Sequence, residues 1–309
     1  MPQKLYPSAH ILEMFMPYLH DEKRLIEVLR EIVKKDFYRN AELPTLPTKA
    51  YRGTVRGILE DNGLTAITFV APFLNEQKMS LCDLDEKRRA EVLAFLKMHA
   101  DYAAEAGYMT FGVPSGPDPG DALRGEAMAA QADTLVQIAD YAAGLGMNCS
   151  IEPLDRYAHK KALIGPMDEV VEWFRPLHER CPNLFLHWDS AHEQLGGLGI
   201  FNTLEMAAPF LSQIHLCDCI SDPAHPCFGD LHMDPAEAPD WKTEGFLTPE
   251  TGAEIIRRAA SFDSPAGVRR FWISIEVLGH KGDNLWHKEK IAREFLARCW
   301  ELSGVEMSR

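Results

Sequence analysis

Residues 184–192 read LFLHWDSAH. The run is largely apolar until it stops at Asp189, as a buried strand does when its C-terminal end opens onto a functional surface. Three further stretches repeat the design: CSIEPLD at 149–155 with Glu152, SQIHLCD at 212–218 with His215, and FWISIEVLG at 271–279 with Glu276. A parallel barrel gathers the C-terminal ends of all its strands around one opening, where such barrels carry their chemistry. Alternate side chains of a strand point to opposite faces, so Glu152, Asp189, His215 and Glu276 can all face inward while their neighbours pack outward. Taken singly, each has a plain reading as a local salt bridge or hydrogen bond. Taken together, three converging carboxylates repel one another unless a cation or protons compensate. The four predict one divalent-metal site. Its mainly oxygen donor set suits Mn²⁺ best, with Mg²⁺, Co²⁺ and Zn²⁺ as further candidates.

Working outward, short β-rich runs alternate with longer helical stretches in about eight pairs, the pattern of a parallel sheet with helices outside. The expected strands of the first half are HILEMFMP (10–17), the weak segment FYRNAELP (37–44), TAITFVAPFL (65–74) and YMTFGVPSG (108–116). Helices are expected over 21–37, where Leu25, Val28, Leu29, Ile32 and Val33 share one face, and over 49–63, 84–107 and 123–146. In the second half they fall near 167–179, 202–212, 249–261 and 288–302. No Gly/Ser-rich or Pro-rich linker divides the series. An open doubly wound sheet is the structural rival, but no dinucleotide-type glycine turn occurs, and eight pairs favour closure. The expected fold is a single (β/α)8 barrel over residues 1–309. The connection after the seventh strand is long, from Leu216 to about Leu247, and long loops in compact domains commonly carry function.

The 309 residues carry 46 acidic and 32 basic side chains, a formal charge of -14 and a pI near 5.3. That balance repels nucleic acid and anionic membranes and fits a small neutral substrate. Seven scattered cysteines do not make a disulfide framework. The N-terminus lacks the pattern of a secretory signal, and no apolar run reaches the roughly 20 residues that span a bilayer. A reducing, cytoplasmic setting is expected. Cys217, Cys219 and Cys227 with His225 have only one close pair and do not read as a zinc knuckle. Nor is there a phosphate-cradling glycine loop or a nucleophile elbow around Ser190.

The stretches IEPLDRY (151–157), WDSAH (188–192), IHLCD (214–218) and ISIEV (273–277) resemble the xylose isomerase-like TIM-barrel superfamily, especially its sugar isomerase and epimerase branch. The resemblance implies that Glu152, Asp189, His215 and Glu276 hold one metal and that His192 touches substrate. The chain departs from the ketose 3-epimerases of that branch at two positions. Ala158 stands where they have a substrate-binding Glu, and Ser221 where they have an Arg. A site lacking those contacts does not bind the same hydroxyls equally well, which counts against a simple free ketose. The resemblance also implies a homo-oligomer and, for some lyases, a smaller accessory subunit.

The expected activity is a metal-dependent sugar isomerase or epimerase working through a metal-stabilised enediolate, with Glu152 and Glu276 moving the proton. The alternative is a lyase or deglycosidase on 3-keto glycosides. A non-catalytic sugar-binding barrel is the reading from another class. Arg156 either fixes a substrate oxygen or pairs with a structural carboxylate. His187 reads as a satisfied core histidine and Trp188 as outward packing. Asp230 and His232 with His192 resemble a metal set of endonuclease IV. The earlier-strand histidines of that family have no match here, so Asp230 and His232 are candidates for substrate contact or a second, weaker metal.

Overall fold

The computed structural model describes residues 3–268 and 270–308. Eight parallel strands close into a barrel in chain order: β1 (Leu5–Ala9), β2 (Asn40–Glu42), β3 (Thr65–Phe69), β4 (Thr110–Pro114), β5 (Asn148–Glu152), β6 (Leu184–Asp189), β7 (Leu211–Leu216) and β8 (Phe271–Ile275). The helices are α1 (Ile11–Met14), α2 (Glu22–Val33), α3 (Lys49–Asn62), α4 (Ala71–Gln77), α5 (Glu86–Glu105), α6 (Asp121–Gly144), α7 (Met167–Arg180), α8 (Ser190–Gly196), α9 (Ile200–Ala207), α10 (Pro249–Ser261) and α11 (Leu285–Ser303). The expected (β/α)8 architecture is what the chain adopts.

Most of the apolar mass lies outside the strands, between barrel and helices, where Phe111, Ile151, Leu186, Trp188, Ile214 and Ile273 are fully buried. Trp188 does point outward, its indole donating to Thr203 Oγ1 at 3.2 Å. The barrel interior is mixed. Tyr6, Ile67 and Trp272 form a small apolar cluster of their own, and above it Ser8, Asn40 and Glu42 are joined by hydrogen bonds.

Helix starts follow from local chemistry. The carboxylates of Asp21 and Asp85 accept backbone N–H groups in the first turns of α2 and α5. Gly63, at φ 61, closes α3 in the left-handed conformation that glycine adopts without strain.

One expectation is overturned. HILEMFMP is not the first strand: Ile11–Met14 is α1, and β1 is the preceding LYPSA. Pairing decides the matter, because Leu5, Tyr6 and Pro7 lie in register with Phe271, Trp272 and Ile273 and close the barrel. APFL, read as the end of the third strand, likewise turns into α4. The helical stretch expected over 202–212 is shorter: α9 ends at Ala207, a 3-10 turn spans Ala208–Phe210, and Leu211 already belongs to β7.

The two ends of the long connection from β7 to α10 are pinned together at Asp218. Asp218 Oδ1 accepts the backbone N–H groups of Cys219, Phe246 and Leu247 at 2.8–2.9 Å, and Thr243 donates its hydroxyl to Oδ2. A Cβ on Gly245 would lie 2.1 Å from Asp218 Oδ1, so only glycine lets the chain pass there.

Candidate metal and substrate site

Strand register sets the site. Asp189 lies beside His215 across β6 and β7, and Pro114 beside Glu152 across β4 and β5. Glu276 follows β8, its N–H bonded to Leu216 O at 3.1 Å. One donor atom each from Glu152, Asp189, His215 and Glu276 falls within a group whose members all lie within 4.8 Å of one another, and all four residues are buried.

Asp189 carries out two tasks. Its Oδ1 accepts the N–H groups of Ala191 and His192, starting α8, while Oδ2 is buried and has no hydrogen-bond partner. A buried carboxylate oxygen left in that state costs free energy unless a proton or cation meets it. His215 is held from both sides, Nε2 at 2.7 Å from Glu42 Oε2 and Nδ1 at 2.9 Å from Glu276 Oε2. A carboxylate on one ring nitrogen is the usual partner that orients a metal-binding histidine, and Ser8 in turn donates to Glu42 Oε1 at 2.8 Å. The orphan oxygen, the oriented imidazole and the oxygen-rich donor set fit a divalent ion.

The electrostatics record how crowded this floor is. Burial, then the charges of Glu276 and Asp189, pushes the Glu152 carboxyl well above the usual range. Burial pushes Asp189 up to about 7. Glu276 and Glu42 go the other way: burial opposes their charge, but the His215 imidazole overcomes it and holds both low. His215 is raised by the same two carboxylates against the cost of burial.

Above the floor opens a cavity of about 460 Å³ lined by Glu13, Glu152, Lys160, His192, His232 and Glu276. Phe69, Leu74, Met79, Leu81, Pro114 and Pro117 also line it, interleaved with the polar Asn75, Lys78, Ser80 and Ser115. His192 Nδ1 is 3.2 Å from Asp155 Oδ2, and its Nε2 is 3.7 Å from Asp230 Oδ2. Burial works against the imidazolium, but Asp155, Asp189 and Asp230 carry it up to about 9. His232 Nδ1 meets Glu13, its Nε2 lies 2.9 Å from Asp230 Oδ2, and Lys160 Nζ lies 3.0 Å from the same oxygen. Asp230 is itself buried and sits behind these groups.

Arg156 stands outside the cavity, and its assignment to substrate binding is corrected. Its guanidinium pairs with Asp118 at 2.7 Å and Asp121 at 3.1 Å and lies over Tyr157, in a network that Arg124 and Glu169 share. Ser221 also stands away from the cavity, bonded to Gln194. His187 is a core histidine but not a satisfied one, since neither ring nitrogen has a hydrogen-bond partner and Nε2 is 3.9 Å from Glu152 Oε1. Cys217 and Cys219 are buried and Cys227 is exposed, and no cysteine belongs to a candidate metal group among the described residues.

Four residues escaped the sequence reading: His10, Glu13, Glu42 and Lys160. The first three fell to the misplaced first strand and to the shortness of β2. Asn40 and Glu42 do alternate with Ala41, the pattern that placed the other carboxylates, but across only three residues.

The xylose isomerase-like TIM barrel model matches residues 23–246, most of the chain. The protein belongs to the xylose isomerase-like TIM barrel family. Within that family's fold, solved structures superpose along nearly the full length at low identity. A D-psicose 3-epimerase in the presence of D-fructose is 14% identical with a TM-score of 0.67, covering 97% of this chain and 100% of its own. The 3-keto-D-glucoside 4-epimerase of E. coli, in its apo form, is 14% identical with a TM-score of 0.65 over 96% and 99%. An IolI protein with a bound zinc atom is 14% identical with a TM-score of 0.67 over 98% of both chains. No curated protein matches. Among the described residues, no helix is long and apolar enough to cross a membrane.

Proposed function

We propose that the protein is a divalent-metal-dependent sugar isomerase or epimerase. The observation that carries this reading is the unpartnered, buried Asp189 Oδ2 at the meeting point of Glu152, His215 and Glu276. Those four residues would hold the ion, with Mn²⁺ the best match to their oxygen-rich set. When bound, the ion polarises a carbonyl and adjacent hydroxyl and stabilises the enediolate.

The chain's own groups move the proton. Glu152 and Glu276 both line the cavity and come from β5 and from the end of β8. A carboxylate on one side removes a proton from the carbon next to the carbonyl, and the other returns it. Return to the opposite face of the same carbon gives epimerisation, and return to the adjacent carbon gives isomerisation. His192, anchored by Asp155, holds a substrate oxygen through the nitrogen that faces away from that anchor. The apolar side chains of Phe69, Leu74, Met79, Leu81, Pro114 and Pro117 limit the water beside the carbanion.

Those same side chains favour a second reading. Apolar groups in the lining suit an aglycone, and the enolate of a 3-keto glycoside would then expel its β-substituent. Fold similarity to a 3-keto-D-glucoside epimerase is in keeping with such a substrate.

The test is proton NMR in D₂O of Mn²⁺-loaded protein diluted with Mg²⁺, incubated with free ketoses and 3-keto glycosides. Deuterium entering a carbon beside the carbonyl is the expected result, and loss of an aglycone in the same spectrum selects the second reading. No exchange with any compound, in protein that binds one Mn²⁺, would overturn both.

A further inference from the structure

We propose that the barrel carries a second ligand site at its opposite pole, a donor-lined cleft that binds the oxyanion of a small organic acid or phosphate ester. The cleft has a volume of about 330 Å³ and lies where β4, β5, β7 and β8 begin, lined by Thr110, Asn148, Ser212 and Trp272, with Arg270 just ahead of β8. Glu152, Asp189 and His215 lie toward the other ends of β5, β6 and β7, so the cleft is no part of the metal site. Barrel interiors are ordinarily filled by large branched apolar side chains. Here Thr110 and Asn148 stand where such side chains would close the floor.

Charge selects the occupant. The cavity above the metal floor holds Glu13, Glu152 and Glu276, whereas no carboxylate lines this cleft. The Arg270 guanidinium lies over the Tyr6 ring at 5.6 Å, and among the described residues no acidic side chain pairs with it. On a chain of formal charge -14, whose surface repels anions in general, an arginine without an acid partner beside a cleft marks a place that attracts one.

Hydrogen bonding is the second, independent observation. Thr110 and Trp272 are 6% and 4% exposed, yet among the described residues no protein group takes the Thr110 hydroxyl or the Trp272 indole N–H. Asn148, directly across from Thr110 in the β4–β5 register, has a side-chain amide that is equally unclaimed. Ser212 makes one long bond, 3.5 Å to Leu186 O. Polar groups buried to this degree are normally paired within the fold, and these are left for a ligand.

The donor types agree on what that ligand is. Indole and guanidinium only donate, while the hydroxyl and the amide can each donate as well, so the set matches a group made of acceptors. The guanidinium fork takes carboxylate and phosphate oxygens alike. The Trp272 ring offers a flat apolar surface to the rest of the molecule. A ligand held here cannot reach Glu152 or Glu276, so it is bound without being turned over and stabilises the folded chain by mass action.

The experiment is isothermal titration calorimetry of the full-length, Mg²⁺-loaded protein with inorganic phosphate in one series and acetate in another. Saturable binding of one anion per chain is expected in at least one series. Arg270→Ala is expected to weaken it tenfold or more and Asn148→Leu several-fold, with unchanged circular dichroism, and Arg270→Gln replaces the Ala variant should that variant not fold. Lys78→Ala, at the metal cavity, is expected to leave the affinity as in the wild type. Phosphate alone assigns the cleft to a phosphoryl group, acetate alone to a carboxylate, and both together to either oxyanion; each sustains the site. No saturable binding in either series, binding that Arg270→Ala leaves intact, or binding lost in Lys78→Ala would each overturn the proposal.

Discussion

Strands β5 to β8 lead to Glu152, Asp189, His215 and Glu276 at the barrel mouth, whereas β3 and β4 end there in Phe69 and Pro114. The two sides line one cavity and share one topology. On the charged side, buried carboxylates converge at a cost to stability that imidazoles offset only in part. On the apolar side, the same strand ends bury hydrocarbon and strengthen the fold. A closed barrel supports both, since the strand ends can change while the outer core around Phe111, Leu186 and Ile273 stays packed. The proposed activity is thus set against the stability of the first side.

The sharpest break of this comparison is Glu276→Gln or Glu152→Gln. Either is expected to slow substrate deuterium exchange by about 10²–10⁴ with an unchanged circular dichroism spectrum, as loss of a proton-transferring group does. Exchange within a few-fold of wild type would remove both residues from the chemistry.

Next in size is the pH dependence of the metal-free protein. Burial raises Asp189 to about 7, so between its unfolded value near 4 and that point the folded chain binds the proton more tightly, and stability falls as pH rises. His192, carried up to about 9, contributes stability that is full below about 6.5 and lost as pH climbs toward 9. Glu42 works in the opposite window, its depressed value adding stability above about 4 that disappears only in acid. Calorimetry of metal-free protein is expected to show melting several degrees lower at pH 9 than at pH 5, amounting to a few kcal/mol. Mn²⁺ is expected to remove the Asp189 part of the slope. A flat profile without metal would mean the charged side carries no such load.

On the apolar side, a Cβ at Gly112 would come within 2.6 Å of Phe69 Cδ2 and 3.0 Å of Thr68 O. Gly112→Ala is expected to cost about 1–3 kcal/mol in denaturant unfolding by overpacking. It is also expected to raise KM by pressing Phe69 into the cavity, leaving kcat within a few-fold. The smallest effect belongs to Arg156→Lys. Its cluster lies outside the cavity, so kinetics should stay unchanged, while loosening of the 2.7 Å pair with the largely buried Asp118 lowers stability by about 1 kcal/mol.

Legibility in the sequence followed strand length and burial. β6 and β7 run six residues each, buried throughout, and their terminal Asp189 and His215 could be read directly. β1 could not: LYPSA contains a proline and is short, while the neighbouring ILEMF is more apolar and forms a one-turn helix. Glu42 was hidden because a three-residue strand gives too little alternation to separate it from a loop. Lys160 was illegible for another reason. Its place beside Asp230 depends on a chain separation of seventy residues, which no local pattern encodes. Arg156 lies close by in sequence, yet its neighbours Asp118 and Glu169 draw it away.

The Asp218 clamp has a consequence for how such a protein can change. Both ends of the excursion that carries Asp230 and His232 are tied to one carboxylate oxygen, through Cys219 at the start and Phe246 and Leu247 at the finish. The segment between also meets the barrel at His232, whose carbonyl accepts the Leu278 N–H at 3.0 Å, and at Asp234, paired with Lys288 at 2.7 Å. The largely exposed tip over 221–228 is the part whose length and sequence can drift while these anchors stay. Directed evolution toward a new sugar would therefore do best to randomise residues 221–228 and leave Asp230, His232 and the Asp218–Gly245 contact untouched.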